Sequence, residues 1–218
     1  MIKLFCGYDA REAVGFHVFV SSVLTRTSRP LSIIPLASNG LPTGSNNFTL
    51  SRFLVPYLMG YKGHAIFADA ADMLALADIE ELDSLFDPSY AVQVVKRPDY
   101  ESRHARKYIG TPLECSQSNY HRKNWASLMI INCEHHAWQW VNPVSIANTS
   151  PLYLLQLSFC GDAIGELPPR WNVLADEGDD IEEAAILHWT AGIPAIQYYA
   201  DAPAASAWLD EAVDMLRI

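Results

Sequence analysis

The pattern that most restricts this fold is a repeated exchange between short apolar runs of strand type and longer runs of helix period. Residues 2–6 (Ile-Lys-Leu-Phe-Cys) read as a buried strand, and residues 11–27 as a helix with Val14, Val18 and Leu24 inward. Residues 31–36 form a second strand, closed by a stretch at 38–47 rich in Gly, Pro, Asn and Ser. Leu50, Phe53, Leu54, Tyr57 and Leu58 then share one face of a helix, with Pro56 expected to shorten or kink it. A short helix is predicted over 79–86, strands over 90–96, 128–132 and 184–189, and a closing helix over 203–217. In that last helix Trp208, Leu209, Ala212, Val213 and Leu216 are expected to face inward. Such alternation predicts an α/β fold, with a mostly parallel sheet flanked by helices on both faces. No repeat or boundary interrupts it, so residues 1–218 read as a single domain of a size that one core can serve.

Composition narrows the function classes. Half of the residues are hydrophobic and only 18% are charged, far from the disordered regime. A formal net charge of −10 argues against general binding to nucleic acid or an anionic membrane. The four cysteines are scattered, and Cys133 with His135 and His136 lacks a fourth metal ligand. Strand residues begin directly after Met1, and no apolar run reaches transmembrane length, so the expected location is the cytoplasm. Seven of the 15 Lys and Arg residues fall between Lys96 and Lys123, which suggests either an anion-facing surface or a solvated loop face.

The chemistry concentrates in His64-Ala-Ile-Phe-Ala-Asp69-Ala-Ala-Asp72, an apolar strand that runs into two carboxylates. Neighbouring carboxylates at a buried strand end repel unless a cation lies between them. A hard divalent ion completed by substrate phosphates resolves this, and strand carboxyl ends are where open α/β sheets bind ligands. An acidic turn that caps the next segment accounts for the pair equally well at this point.

Further motifs flank this stretch: a Gly7-Tyr8-Asp9 turn after the first strand, Ser51-Arg52-Phe53-Leu54, Trp125-Ala126-Ser127 leading into residues 128–132, and His188-Trp189-Thr190-Ala191-Gly192. In this order they resemble nucleotide-sugar glycosyltransferases of the GT-A fold, most of all the glycogenin-like and bacterial galactosyltransferase-like enzymes of glycosyltransferase family 8. The chain departs from that family in three places. Its Asp-x-Asp is one residue longer here, Trp125 stands where an Asn is usual, and no basic residue follows the late His.

The resemblance implies a GT-A (Rossmann-like) domain that transfers a hexose from a UDP-sugar to an acceptor hydroxyl with retention. Asp69, Asp72 and His188 would hold Mn²⁺ or Mg²⁺. Tyr8, Asp9, Arg52, Asp69, Lys123 and Gly192 would contact the nucleotide, with Lys123 replacing the missing base. Arg52 and Gln156 would be catalytic, Ser127 and Asn132 would lie on the sugar-contacting strand, and Trp171 and Asn172 would border the acceptor. The acceptor itself, a saccharide, lipid-linked sugar or protein, is not readable, nor is the oligomeric state. A nucleotidyltransferase, a glycoside hydrolase and a non-catalytic nucleotide-sugar-binding protein remain open alternatives.

Overall fold

The computed structural model describes residues 1–37, 40–42, 44 and 46–217, so Ser38, Asn39, Thr43 and Ser45 of the expected turn at 38–47 lie outside the described residues. In chain order the elements are β1 (Ile2–Gly7), α1 (Ala13–Arg26), β2 (Leu31–Leu36), α2 (Val55–Leu58), β3 (His64–Ala68), β4 (Met73–Ala75), α3 (Ile79–Asp83) and β5 (Val92–Val94). Next come a hairpin of β6 (Arg106–Lys107) and β7 (Cys115–Ser116), then β8 (Leu128–Asn132), α4 (Pro143–Ala147) and α5 (Pro151–Leu155). β9 (Ile164–Glu166), β10 (Val173–Leu174), β11 (Ile186–His188) and α6 (Ala205–Met215) complete the chain.

The main sheet has the order β2-β1-β3-β8-β5-β9. Its pairings are parallel except at β8, which runs against both β3 and β5. Successive side chains of a strand face opposite ways, and here both ways are apolar. Phe5, Phe67, Met129 and Ile131 enter one core, while Leu4, Cys6, Ile66, Ala68, Leu128 and Ile130 enter the other. This two-sided burial explains why the strands read as unbroken apolar runs rather than alternating ones. A smaller sheet, β10-β11-β4, leans on α1 and α6 through Leu74, Leu187, Trp189 and Trp208.

Helix faces differ from the sequence reading. Val18 is buried, but Val14 and Leu24 are exposed, because Phe16, Phe19 and Val23 present the larger apolar stripe to the sheet. In α6 Trp208 is buried whereas Leu209, Val213 and Leu216 are exposed. The position inward of them is taken by Glu211, whose carboxylate pairs with Arg26 at 2.8 Å and accepts from the Ser21 hydroxyl. The helix expected over residues 50–58 is split into a 3₁₀ turn at Ser51–Leu54 and α2, with Pro56 in the first turn of α2. Leu50 and Phe53 are buried there, and Tyr57 and Leu58 are exposed. Among the described residues no helix is long and apolar enough to cross a membrane.

Candidate active site

The acidic turn begins where β3 ends. The Asp69 N–H donates to the Ser127 carbonyl at the start of the neighbouring β8, and Met73 N–H closes the turn onto the Ala70 carbonyl at 3.0 Å. Between them Ala70 adopts a left-handed backbone, φ 65°, a conformation that is uncommon outside glycine. That single residue absorbs the additional position between the two aspartates, so the longer spacing does not separate their carboxylates. β4 follows at once and pairs antiparallel with β11, setting His188 opposite Met73. The Trp189 N–H donates to the Asp72 carbonyl, which fastens the two segments at the site itself. Ligand atoms of Asp69, Asp72 and His188 thereby lie within 4.8 Å of one another, and no other such cluster occurs among the described residues.

This trio lines a cleft of about 260 Å³ together with Arg52, Lys107, Tyr108, Tyr120, Lys123, Asn124, Ser127 and Thr190. Arg52 is buried beneath the turn. Its Nη1 lies 2.7 Å from Asp69 Oδ1 and donates to the Ala126 carbonyl, while Nε donates to the Thr49 carbonyl. The guanidinium also sits 5.2 Å from the Phe67 ring centroid, so it is clamped from several sides. Lys123 is buried in the opposite wall, donating to the Ser118 carbonyl, and burial pulls its ammonium down to about 8. It lies between Arg122 and Asn124, both left-handed at φ 59° and 65°, a backbone that is costly to hold and that clusters at functional sites.

Charge is unbalanced in this cleft. Burial raises the Asp69 carboxyl, with Arg52 opposing and Asp72 adding to the rise. Burial also works against ionised Asp72, but the His188 charge and hydrogen bond outweigh it and hold Asp72 below its ordinary value. His188 is raised: burial disfavours its charge, and Asp72, 3.4 Å from Nε2, favours it more strongly. Oδ1 of Asp72 is buried with no hydrogen-bond partner among the described residues. An orphaned carboxylate oxygen beside a second carboxylate and an imidazole is a donor set that fits a divalent cation.

Sequence reasoning missed several groups that shape this cleft. Asp176 accepts from the Thr190 and Ala191 N–H groups, and Glu177 accepts from Tyr100, Ser102, Arg103 and Thr190. Adjacent buried acids thus fasten loop 100–104 to the segment after β11. Their signal was absent because their partners come from several distant segments. Glu12 is buried between the first turn and Tyr108, and burial, together with the Asp72 charge, pushes its carboxyl up to about 7. Asn172, expected near the acceptor, is buried against His188 instead.

Other expected site residues are not among the described residues that line the cleft. Asp9 is satisfied by Arg11 and by the Asn47 N–H, and Tyr8 packs edge-on against Phe16 at 5.0 Å. A side chain at Gly192 would meet the Tyr199 ring, with Cδ2 at 2.6 Å, so this ring packs directly over the glycine. Gln156 follows α5, where its carbonyl accepts from Arg122, and it is Leu155 that lines the cleft. Asn132 is at the wrong end of its strand. Because β8 is antiparallel, Asn132 sits opposite His64 and binds the Pro88 carbonyl, leaving Ser127 at the acidic end. Trp171 packs in the core below Arg170. The basic cluster divides: Arg97 pairs with Asp179 and Arg106 with Glu114, whereas Lys107 and Lys123 line the cleft. His135 is likewise occupied, accepting from the Ala137 N–H in a turn.

Comparison with known proteins places this arrangement. No family model matches the chain. Protein CDI of Arabidopsis thaliana is 33% identical over 226 residues, covering 96% of this chain and 85% of the plant protein. The chain belongs to the Protein CDI family. Among solved structures, the galactosyltransferase LgtC in complex with donor and acceptor sugar analogs superposes with a TM-score of 0.64 at 14% identity, covering 100% of this chain and 97% of LgtC. The bifunctional glycosyltransferase WbbM gives a TM-score of 0.64 at 12% identity, covering 97% of this chain but only 49% of WbbM. This CDI relative therefore has the GT-A glycosyltransferase fold.

Proposed function

We propose that this chain is a metal-dependent glycosyltransferase that moves a hexose from a UDP-sugar to an acceptor hydroxyl, with retention at the anomeric carbon. The observation that carries this reading is the convergence of Asp69, Asp72 and His188 in a buried cleft, with Asp72 Oδ1 unpartnered. The GT-A neighbours, which are glycosyltransferases, support it at the level of fold.

Asp72 and His188, helped by Asp69, would hold Mn²⁺ or Mg²⁺, which when bound supplies Lewis-acid stabilisation to a departing diphosphate. Arg52 opposes the rise of the Asp69 carboxyl and holds it in place, since its guanidinium is fixed by two backbone carbonyls as well as by the carboxylate. Lys107 and Lys123 put further positive charge on the cleft walls, where negative charge develops as the sugar–phosphate bond breaks. The described lining residues of the cleft include no carboxylate beyond Asp69 and Asp72. That composition favours a front-face course in which the leaving phosphate accepts the acceptor proton.

Calorimetric titration of UDP with and without Mn²⁺, followed by a panel of UDP-sugars monitored by UDP release, tests the reading. Mn²⁺-dependent UDP binding that disappears in Asp72→Ala is the expected result. Equal affinity with and without the ion, or no turnover of any sugar donor, would overturn it, and NMR of the product linkage decides retention.

A further inference from the structure

The histidine of the cleft is held by a chain of hydrogen bonds whose directions all follow from one backbone carbonyl. The Ser127 hydroxyl donates to the Asn124 carbonyl at 2.6 Å. With its proton committed there, Ser127 Oγ can only accept from the Asn172 side chain, 2.9 Å away. The group facing Ser127 is therefore the Asn172 NH₂, which also points at the Asn124 carbonyl at 3.4 Å. An overturned amide would set an oxygen against two acceptors. Asn172 Oδ1 must then face His188 Nδ1, at 2.9 Å, and an amide oxygen can only accept. Nδ1 thus carries the proton, and in the neutral ring Nε2 is a bare lone pair directed toward Asp72, 3.4 Å away. Asn172, Ser127 and His188 are only 1%, 3% and 2% exposed, so water offers no competing partner.

We propose that Asn172 is a positioning residue that holds the His188 proton on Nδ1, so that Nε2, facing Asp72, is the nitrogen the neutral ring leaves free for a ligand. The consequence for a cation rests on the metal reading above, whereas the tautomer assignment does not. Left to itself, a neutral imidazole beside Asp72 would place its proton on Nε2 and donate it to the carboxylate. Asn172 opposes that arrangement, at the cost of leaving a lone pair and a carboxylate facing each other. The pair is costly when empty and favourable around a divalent ion, which is how an outer hydrogen-bond partner prepares a histidine ligand.

The test is ¹⁵N NMR of histidine-labelled, metal-free protein at a pH where the ring signals no longer move, combined with Mn²⁺ titration. The wild-type protein should show the Nδ1–H pattern for His188. Asn172→Leu, close in volume but with no acceptor, should switch it to Nε2–H and weaken Mn²⁺ by about 10- to 100-fold. An Nε2–H ring in the wild-type protein, a measurement that needs no variant to fold, overturns the proposal, as does an unchanged pattern in Asn172→Leu. If the tautomers behave as expected but the wild-type protein binds no Mn²⁺, the positioning role stands and the metal reading falls.

Discussion

Replacing Gly15 with alanine should reverse the usual sign of that substitution. In the interior of a helix, Gly→Ala stabilises by about 0.5–1 kcal/mol, because alanine loses less backbone entropy. Gly15 lies in the first turns of α1, where that helix crosses the acidic turn. A methyl group there would stand 2.9 Å from the Ala71 carbonyl carbon and closer still to its oxygen, with Ile193 Cδ1 at 3.3 Å. Ordinary van der Waals contact begins near 3.4 Å, and the obstacle is backbone rather than a flexible side-chain end. Overpacking of this kind costs about 1–3 kcal/mol, so the entropic gain is exceeded and a net loss of about 1–2 kcal/mol is expected. Urea unfolding measures it as a lower midpoint at an unchanged slope. Since Ala71 lies between Asp69 and Asp72, the same variant should also bind Mn²⁺ more weakly. A Gly15→Ala protein as stable as its parent, or more so, would refute the close approach of helix and turn.

Two further outcomes follow from the buried charges. Arg52→Lys keeps the charge but cannot reach Asp69 and the Thr49 and Ala126 carbonyls together, and should cost about 2 kcal/mol in urea unfolding along with most of the turnover. Glu12 titrates near 7 in the folded protein against an ordinary 4.5, so the folded state binds its proton more tightly than the unfolded state does. Its contribution is therefore complete below about 4.5, and is lost as pH rises through 7. Glu12→Gln should flatten stability over that window and gain at most about 3 kcal/mol at pH 8, read from unfolding midpoints across pH.

The positions of β1, β2, β3, β8 and β11 and the carboxylate pair at the end of β3 were legible in the sequence because they rest on local signals, whereas His188 was singled out only through the resemblance. Apolar runs mark strands buried on two faces, and carboxylates at a strand end announce themselves. The parallel strands gave no hint that β8 is reversed, so Ser127 and Asn132 read as equivalent although they lie at opposite ends of the sheet. Helix faces misled for a related reason. Leu209 and Val213 are as apolar as a core residue should be, but Glu211 holds the inward position through Arg26 and Ser21, which belong to another helix. The roles of Asp176, Glu177 and Asn172 depend on partners far along the chain, and no local spacing encodes them.

The antiparallel pairing of β4 with β11 has a bearing on how this protein checks its own assembly. His188 stands opposite Met73, one residue from Asp72. Side chains alternate along a strand, so a slip of one residue would turn His188 away and bring Leu187 or Trp189 into its place. The same slip would turn Leu187 and Trp189 out of the core that they share with Leu74, so packing already favours this alignment. A cation that needs both Asp72 and His188 rewards only the correct alignment, and would act as a proofreader of strand registration.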